Sequence, residues 1–365
     1  MSLDKNKVVL GMSGGVDSSV AAYLLKEQGY DVIGVTMKIW QDDSKKIADD
    51  GGCCSLSAVE DARMVANKLG IPFYVMDFQE VFQEKVIDLF LDEYGKGRTP
   101  NPCIACNRFI KFEELLQRSH DLGAYYVATG HYAKKVYDEE NDRYLLKKSK
   151  ADQKDQTYAL FNMTQRQLKH TLFPLGDFTS KEKIRAIADE LDLVVADKPD
   201  SQEICFVDDD YVDFIKENAD YQITKGNFVD TEGKILGQHQ GIVSYTIGQR
   251  RGLGITFGKP AYVVDINAEK NEVVIGDNKD TFSKGLIARD LNFIPFDRLT
   301  EEISVQAKIR YNAQAKPAQL IPLDEDRVKV IFGEVRAVTL GQAVVFYDEE
   351  NDNIIGGGTI EERID

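Results

Sequence analysis

The residues able to do chemistry fall at a few points along the chain. Gly11-Met12-Ser13-Gly14-Gly15-Val16-Asp17-Ser18-Ser19 follows the apolar run Val8-Val9-Leu10 and precedes Val20-Ala21-Ala22-Tyr23-Leu24-Leu25. That order predicts a buried strand, a glycine-rich turn and a helix beginning near Ser18 and Ser19. Gly14 and Gly15 let the backbone come close to a ligand. Free N–H groups and the positive dipole end at such a corner bind phosphate or pyrophosphate. The turn is neither the lysine-bearing phosphate loop nor the G-x-G-x-x-G dinucleotide fingerprint, because both signatures are absent. Further on, Thr99-Pro100-Asn101-Pro102 leads into Cys103-Ile104-Ala105-Cys106. A Cys-x-x-Cys spacing alone is compatible with half a metal site, a redox pair or a structural role. A helix starting near Asn107 puts Cys106 at a helix N-terminus, which favours thiolate. Cys205, between Ile204 and Phe206, reads by itself as a buried hydrophobe.

The elements that must position these residues alternate. The first helix runs to Gln28 and stops at Gly29. A strand over 31–37, a polar loop over 45–52, a helix over 57–69, a strand over 72–76 and a helix over 81–94 follow. Two prolines make 97–107 a loop, and a helix over 109–122 ends at Gly123. A strand over 125–132 closes on a glycine turn, which puts His131 on the same carboxyl edge as the first turn; Ser180 to Leu191 is an amphipathic helix. Alternating strands and helices predict an α/β fold with a doubly wound parallel sheet, whose ligands sit at the carboxyl ends of the strands. After Asp208 the pattern changes to short strands and glycine turns, at 226–230, 234–237, 262–266 and 272–275. Strands at 303–311, 328–332, 342–347 and 354–360 then predict a small antiparallel β-barrel. The expected domains are 1–208, a Rossmann-like catalytic domain; 209–280, a small β-rich central domain; and 281–365, the barrel.

The chain has 365 residues, enough for two or three cores. It has no apolar run of membrane-spanning length and no signal-peptide core, and its five cysteines are an odd number, so a reducing cytoplasm is expected. A net charge of −16 argues against indiscriminate nucleic-acid binding. Locally, however, Lys134 to Arg185 holds twelve Lys and Arg against eight Asp and Glu, which reads as a solvated helical surface or as a basic face for RNA. Tyr245-Thr246-Ile247-Gly248-Gln249-Arg250-Arg251-Gly252-Leu253-Gly254 is a second basic stretch, suited to an RNA-facing loop or to a mobile one.

The Ser-Gly-Gly-Val-Asp-Ser turn resembles the PP-loop of ATP pyrophosphatases, which cut ATP between the α and β phosphates. Taken with Thr99-Pro100-Asn101-Pro102, Cys106-Asn107, Ile110-Lys111-Phe112, Ala128-Thr129-Gly130-His131-Tyr132, Lys154-Asp155-Gln156, Asp200-Ser201, Ile204-Cys205-Phe206, Tyr245 to Arg250 and Gly341-Gln342-Ala343-Val344, the chain resembles the tRNA-specific 2-thiouridylases of the MnmA/TrmU family over nearly its whole length. The resemblance implies ATP-dependent replacement of the carbon-2 oxygen of a wobble uridine by sulfur. It implies ATP and Mg2+ as cofactors, the tRNAs for Lys, Glu and Gln as partners, a cysteine desulfurase or sulfur-relay protein as donor, and a monomer.

By the same matching, Gly11, Met12, Ser13, Gly14, Gly15, Val16, Asp17, Ser18 and Met37 should hold ATP, with Gly130 against it. Asn101, Pro102 and Cys103 should meet the target base. His131, Lys154, Asp155, Gln156, Arg310, Tyr311 and Gln342 should contact tRNA. Cys205 matches the persulfide carrier and Cys106 its partner. One departure stands out: the family commonly has Asp after Asn-Pro, where this chain has Cys103. Cys103, Cys106 and Cys205 could together ligate an iron–sulfur cluster, with Cys53 and Cys54 as further candidates. Two other readings compete. Another PP-loop ligase would release pyrophosphate without tRNA, and a redox-sensitive RNA-binding protein would release none.

Overall fold

The computed structural model describes residues 3–40, 56–151, 154–200, 204–207, 210–256 and 258–365. The whole of the expected 45–52 loop, Cys53, Cys54 and Ser201 lie outside the described residues. In chain order the first elements are β1 (Asp4–Gly11), α1 (Val16–Glu27), β2 (Asp31–Lys38), α2 (Leu56–Leu69), β3 (Phe73–Asp77), α3 (Gln79–Phe82) and α4 (Asp88–Gly95). Next come α5 (Pro102–Ala105), α6 (Leu115–Asp121), β4 (Ala124–Ala128), β5 (Ala133–Asp138), β6 (Arg143–Lys148), α7 (Gln165–Lys169), β7 (Thr171–Leu172), α8 (Lys181–Glu190) and α9 (Tyr211–Asn218). The strands β8 (Gly226–Asp230), β9 (Ile235–His239), β10 (Tyr262–Asn267) and β11 (Glu272–Gly276) precede β12 (Phe282–Phe293), β13 (Ile303–Lys308), β14 (Lys316–Pro322), β15 (Val328–Arg336), β16 (Ala343–Tyr347) and β17 (Ile354–Ile364). By packing the chain forms two compact units. One is Met1–Val86 with Cys103–Asp208 and Asp352–Ile354; the other is Ile87–Pro102 with Asp209–Asn351 and Ile355–Asp365.

The first unit is built on a five-stranded sheet of order β3-β2-β1-β4-β7, in which every pairing is parallel. β1 is central, and Val8, Val9 and Leu10 are wholly buried. A strand covered on both faces reads as a continuous apolar run, which is why this one was legible. Alanines at 21, 22, 62 and 66 let α1 and α2 join a core with Leu10, Leu25, Val65 and, from α8, Ile184 and Ala188.

The second unit holds two sheets, each with its own core. One has the order β10-β11-β8-β9, and Phe228, Tyr245, Leu253, Val263 and Val273 pack together around it. The other closes as the barrel β12-β15-β14-β13-β16-β17, filled by Leu286, Val305, Leu320, Val330, Val344 and Phe346. Closure leaves no open strand edge.

Three expectations are corrected. Pro102 does not forbid a helix but begins one, since the first helical residue needs no N–H. The strand expected over 125–132 ends at Ala128. The residues after Tyr132 form the antiparallel hairpin β5–β6, with Lys134 opposite Lys147, which composition alone had suggested as helical surface. The strand β14 was also missed, because Pro317 and Pro322 argue against a strand from sequence; Pro317 lies next to its start, where a missing donor is tolerated.

Gly14 has φ +69°, and a Cβ there would lie 2.2 Å from the Ala58 carbonyl oxygen. At Gly15 a Cβ would meet nothing closer than the Ser13 hydroxyl at 3.5 Å. Gly14→Ala is therefore expected to cost at least about 1–3 kcal/mol and to lower the thermal midpoint of the first unit clearly more than Gly15→Ala. Thermal unfolding of the two variants side by side checks this.

Candidate functional site

Gly15 is the N-cap of α1 and Val16 its first residue, two positions earlier than the sequence suggested. The Ser18 hydroxyl closes the turn. It accepts from the Ser13 N–H at 3.3 Å and donates to the Gly15 carbonyl at 3.1 Å, which the Ser19 hydroxyl also reaches at 2.9 Å. Met12 and Val16 are buried, so what they offer a ligand at this turn is backbone. The Met12 N–H is already committed to the Val35 carbonyl at 2.8 Å, and its carbonyl accepts from the Thr36 hydroxyl at 2.8 Å. Met37 lies beside Gly11, its Cε 3.9 Å from where a Gly11 side chain would begin. A Cβ on Gly130 would sit 2.8 Å from the Ser18 nitrogen. The chain after β4 is thus pressed onto the first turn of α1, where only glycine fits.

Around that turn runs a chain of charges. Asp17 accepts from the Tyr132 hydroxyl through Oδ1 at 2.7 Å and from the Lys181 ammonium through Oδ2 at 2.6 Å. Lys181, with its side chain 9% exposed, also donates to Asp200 Oδ1 at 2.6 Å. Asp200 Oδ2 in turn accepts from Lys154 at 2.9 Å. Burial pushes the Tyr132 phenol far above its usual range, and Asp17 adds to this, so Tyr132 stays a donor. Burial works to raise the Asp200 pKa, but Lys181 and Lys154 outweigh it and hold the carboxyl below its usual range. Gln156 clamps Tyr132, accepting from its N–H at 2.9 Å and donating its own N–H to its carbonyl at 3.1 Å. Asp155 accepts from the Ser149 N–H at 3.1 Å and the Thr157 hydroxyl at 2.6 Å; burial raises its pKa against those bonds. Lys154, Asp155 and Gln156 therefore each have inward partners in this structure. Lys181 and Tyr132 were missed as site residues. Their only sequence signals are the Ser180-Lys181 helix opening and the Gly130-His131-Tyr132 turn.

The cysteines differ in setting. Cys106 is buried at 8% exposure, whereas Cys103 and Cys205 are exposed. Because the helix begins at Pro102, Cys106 lies a turn inside it and Cys103 near its start, which corrects the expected N-terminal place of Cys106. Next to Cys106, Asn107 donates to the Ala159 carbonyl at 3.0 Å, tying the helix to the segment after Lys154-Asp155-Gln156. Its buried Oδ1 has no hydrogen-bond partner among the described residues. The buried-hydrophobe reading of Cys205 is overturned. Phe206 takes the core position, 3% exposed and edge-on to Phe82 at 5.7 Å, and the thiol is left outside. Among the described residues no three His, Cys, Asp or Glu side chains are grouped to hold a metal ion, so Cys103, Cys106 and Cys205 do not form a cluster site here. His131 pairs through Nδ1 with the Thr129 hydroxyl at 2.7 Å, and burial, helped by Lys111, holds its pKa well below the usual value.

In the second unit Gln342 donates to the carbonyls of Thr99 at 2.7 Å and Pro100 at 3.3 Å, and the Thr99 N–H donates to Leu340. The run into Asn101-Pro102 is thereby tied to the barrel. Arg310 Nη2 serves the Ile247 and Ala337 carbonyls at 3.0 and 2.8 Å and the Thr339 hydroxyl at 2.8 Å. Tyr311 is 40% exposed, with the Lys308 ammonium 5.5 Å from its ring centre.

The chain matches three family models. They are described as tRNA methyl transferase HUP domain over residues 6–209, tRNA methyl transferase PRC-barrel domain over 212–277 and aminomethyltransferase beta-barrel domain over 283–360. Among curated proteins it is similar to the tRNA-specific 2-thiouridylase MnmA of Clostridioides difficile, 61% identical over 360 residues that cover 98% of this chain and 99% of that protein. MnmA 1 of Thermoanaerobacter pseudethanolicus is 62% identical over 362 residues, 98% of this chain and 99% of that one. MnmA of Acetivibrio thermocellus is 60% identical over 362 residues, 98% and 100%.

Removing the Lys181 ammonium leaves two carboxylates without their shared cation. Lys181→Met is expected to destabilise the first unit by about 3 kcal/mol, the low end for a broken buried pair because both carboxylates keep some contact with water; urea denaturation measures it. A second expectation concerns pH. All four histidines (120, 131, 170 and 239) have lowered pKa values, with burial the largest cause in each. Below about pH 6.5 the unfolded chain binds more protons than the native one. Stability is thus full above that pH and falls as the pH drops toward the native values. Denaturation between about pH 7 and 5 should show this decline, with a shallower slope in His131→Asn.

Proposed function

We propose, because this chain belongs to the tRNA-specific 2-thiouridylase MnmA family, that it is a tRNA-uridine 2-sulfurtransferase, using ATP to put sulfur in place of the carbon-2 oxygen of a wobble uridine. The observation that carries this is identity of 60–62% with members of that family across 98% of the chain. No helix among the described residues is long and apolar enough to cross a membrane.

Gly11, Met12, Ser13, Gly14, Gly15, Val16, Asp17 and Ser18 form the ATP site: the N–H groups at the start of α1 take the phosphates, while Met12 and Ser13, whose N–H groups bond to Val35 and Ser18, shape the turn; Met37 and Gly130 flank it. Mg2+ takes hard oxygen donors and is usually shared between a carboxylate and the nucleotide phosphates. Asp17 is the carboxylate at this turn and would be the residue to hold the ion; in this structure its oxygens accept from Tyr132 and Lys181. Mg2+ supplies charge neutralisation on the phosphates. Lys181 and Lys154 supply the fixed positive charge beside them.

A uracil carbonyl oxygen is a poor leaving group, and adenylating it makes AMP the leaving group while pyrophosphate departs. Asn101, Pro102 and Cys103 meet the base. His131, Lys154, Asp155, Gln156, Arg310, Tyr311 and Gln342 serve the tRNA. Part of that service is indirect, because Gln342 and Arg310 hold the segments that carry Asn101 and Gly248. The terminal sulfur of a Cys205 persulfide bonds to carbon 2 and AMP leaves with the bonding pair. Cys106 as thiolate then attacks the Cys205 sulfur. The bond to the transferred sulfur breaks, leaving 2-thiouridine and a Cys106–Cys205 disulfide, which an external thiol reductant reopens. The exposure of Cys205 supports its loading by a cysteine desulfurase or relay protein, and the tRNAs for Lys, Glu and Gln are the substrates. The chain works as a monomer. Among the described residues Cys103, Cys106 and Cys205 are not grouped to hold a cluster, and no step requires one.

The test is mass spectrometry of unmodified tRNA incubated with ATP, Mg2+ and a cysteine desulfurase sulfur source. Wild type should form 2-thiouridine. Cys205→Ser and Cys106→Ser should fall to background, and Cys103→Ser should keep most activity. Methylated instead of thiolated uridine would overturn the proposal in favour of the activity named by the family models. Pyrophosphate release without tRNA would favour a different PP-loop ligase.

A further inference from the structure

The two basic stretches seen in the sequence are used differently. In the first, Lys134 and Lys150 both pair with Asp177, at 2.8 and 2.9 Å, and Lys147 pairs with Asp352 at 3.3 Å. Lys135 donates to the Thr171 carbonyl at 2.6 Å among the rings of Tyr144 and Tyr126, and burial brings its pKa down to about 8. Much of that positive charge is thus spent within the fold. In the second stretch Arg250 and Arg251 are exposed, and neither has an ion pair among the described residues.

The loop that carries them is nevertheless held firmly. The Gly248 N–H donates to Val263 at 2.8 Å, and the Val263 N–H donates back to Gln249 at 2.9 Å. The Gln249 side chain accepts from the Thr246 N–H at 3.0 Å and donates to the Arg251 carbonyl at 3.0 Å. Arg310 holds the Ile247 carbonyl, and Leu253 is sunk into the core of the four-stranded sheet at 6% exposure. Gly252 and Gly254 take left-handed φ of +72° and +77°. Backbone of this kind turns successive N–H groups toward one side and makes anion-binding concavities. The loop lines a cleft of about 380 Å3, with Arg250, Gly252, Gly254, Thr256 and Lys259 in its wall. Lys259 is shared with Asp277 at 2.7 Å. Across Gly252 lies a second cleft bearing Asp210, Asp213 and Lys216. Lys216 neutralises Asp213 at 2.6 Å, while Asp210 caps α9, so an anion is favoured on the arginine side and repelled from the other.

We propose that this loop is a preformed seat for the phosphate backbone of the RNA substrate, with Arg250 and Arg251 on successive phosphates and the glycine N–H groups closing on one of them. Adjacent, uncommitted arginines on an anchored loop suit a run of phosphates. They bind by releasing counterions and carry position rather than sequence. The proposal rests on tRNA being the substrate.

The experiment measures tRNA affinity of the full chain between about 50 and 200 mM salt for wild type, for Arg250→Ala/Arg251→Ala, for Arg250→Lys/Arg251→Lys and for Lys150→Ala. The double alanine variant should bind about tenfold more weakly, and its slope of log affinity against log salt should fall by about one per arginine removed. The double lysine variant should restore most of the slope, which separates lost charge from misfolding. Lys150→Ala should match wild type. Affinity and slope of the double alanine variant within about twofold of wild type would overturn the seat. Failure of the wild type itself to bind tRNA would instead overturn the substrate reading.

Discussion

The Lys181 ammonium, buried between Asp17 and Asp200, is the interaction on which the glycine-rich turn and the first turn of α1 depend. A lone buried cation would be prohibitively costly; one with two carboxylates and good geometry is tolerable and strongly directional. Its partners come from α1 and from the segment after α8, and Tyr132, beyond the end of β4, completes the set through Asp17. The charge network therefore does in cross-section what the parallel sheet does lengthwise. It prevents the first turn of α1 from drifting away from the loop that Gly130 presses upon it. Lys154, which also reaches Asp200, extends the same network to Lys154-Asp155-Gln156, so the glycine-rich turn and that segment share one electrostatic balance.

The second unit is held in a different way. Arg310 and Gln342 both donate to backbone carbonyls. The family resemblance implies that both side chains contact tRNA. In the structure their visible work is to hold two loops, one leading to Asn101-Pro102 and one to Gly248-Gln249.

The fold was legible where patterns are local. Val8-Val9-Leu10 with its glycine turn, the alternating strands and helices, and the closely spaced strands after residue 300 needed no distant partner to be read. What was not legible depends on residues far apart in sequence. Nothing near Lys181 announces that its partner is Asp17. The β5–β6 hairpin hid behind lysines that composition treats as helix surface, and its charges are absorbed by Asp177 and Asp352. Cys205 looked like core because it stands between two apolar residues. The tertiary structure buries Phe206 against Phe82 and leaves the sulfur out. The start at Pro102 was misjudged because a general veto on proline ignores the one helical position that welcomes it.

The helix through Cys106 is π-helical over Cys106–Glu114, between α-helical turns on either side. A π turn is equivalent to one residue inserted into an α-helix. Its effect is a change of phase: everything beyond it is rotated by about 100° from where an unbroken helix would put it. The buried positions follow that shift, with 106, 107 and 110 on one side and 112, 115, 116 and 119 on the other. A chain that lost a single residue between them would regain a regular helix, yet could no longer bury Phe112 and hold Cys106 inward together. The length of this stretch is thus constrained as tightly as its composition, and a one-residue deletion here would be more damaging than most substitutions.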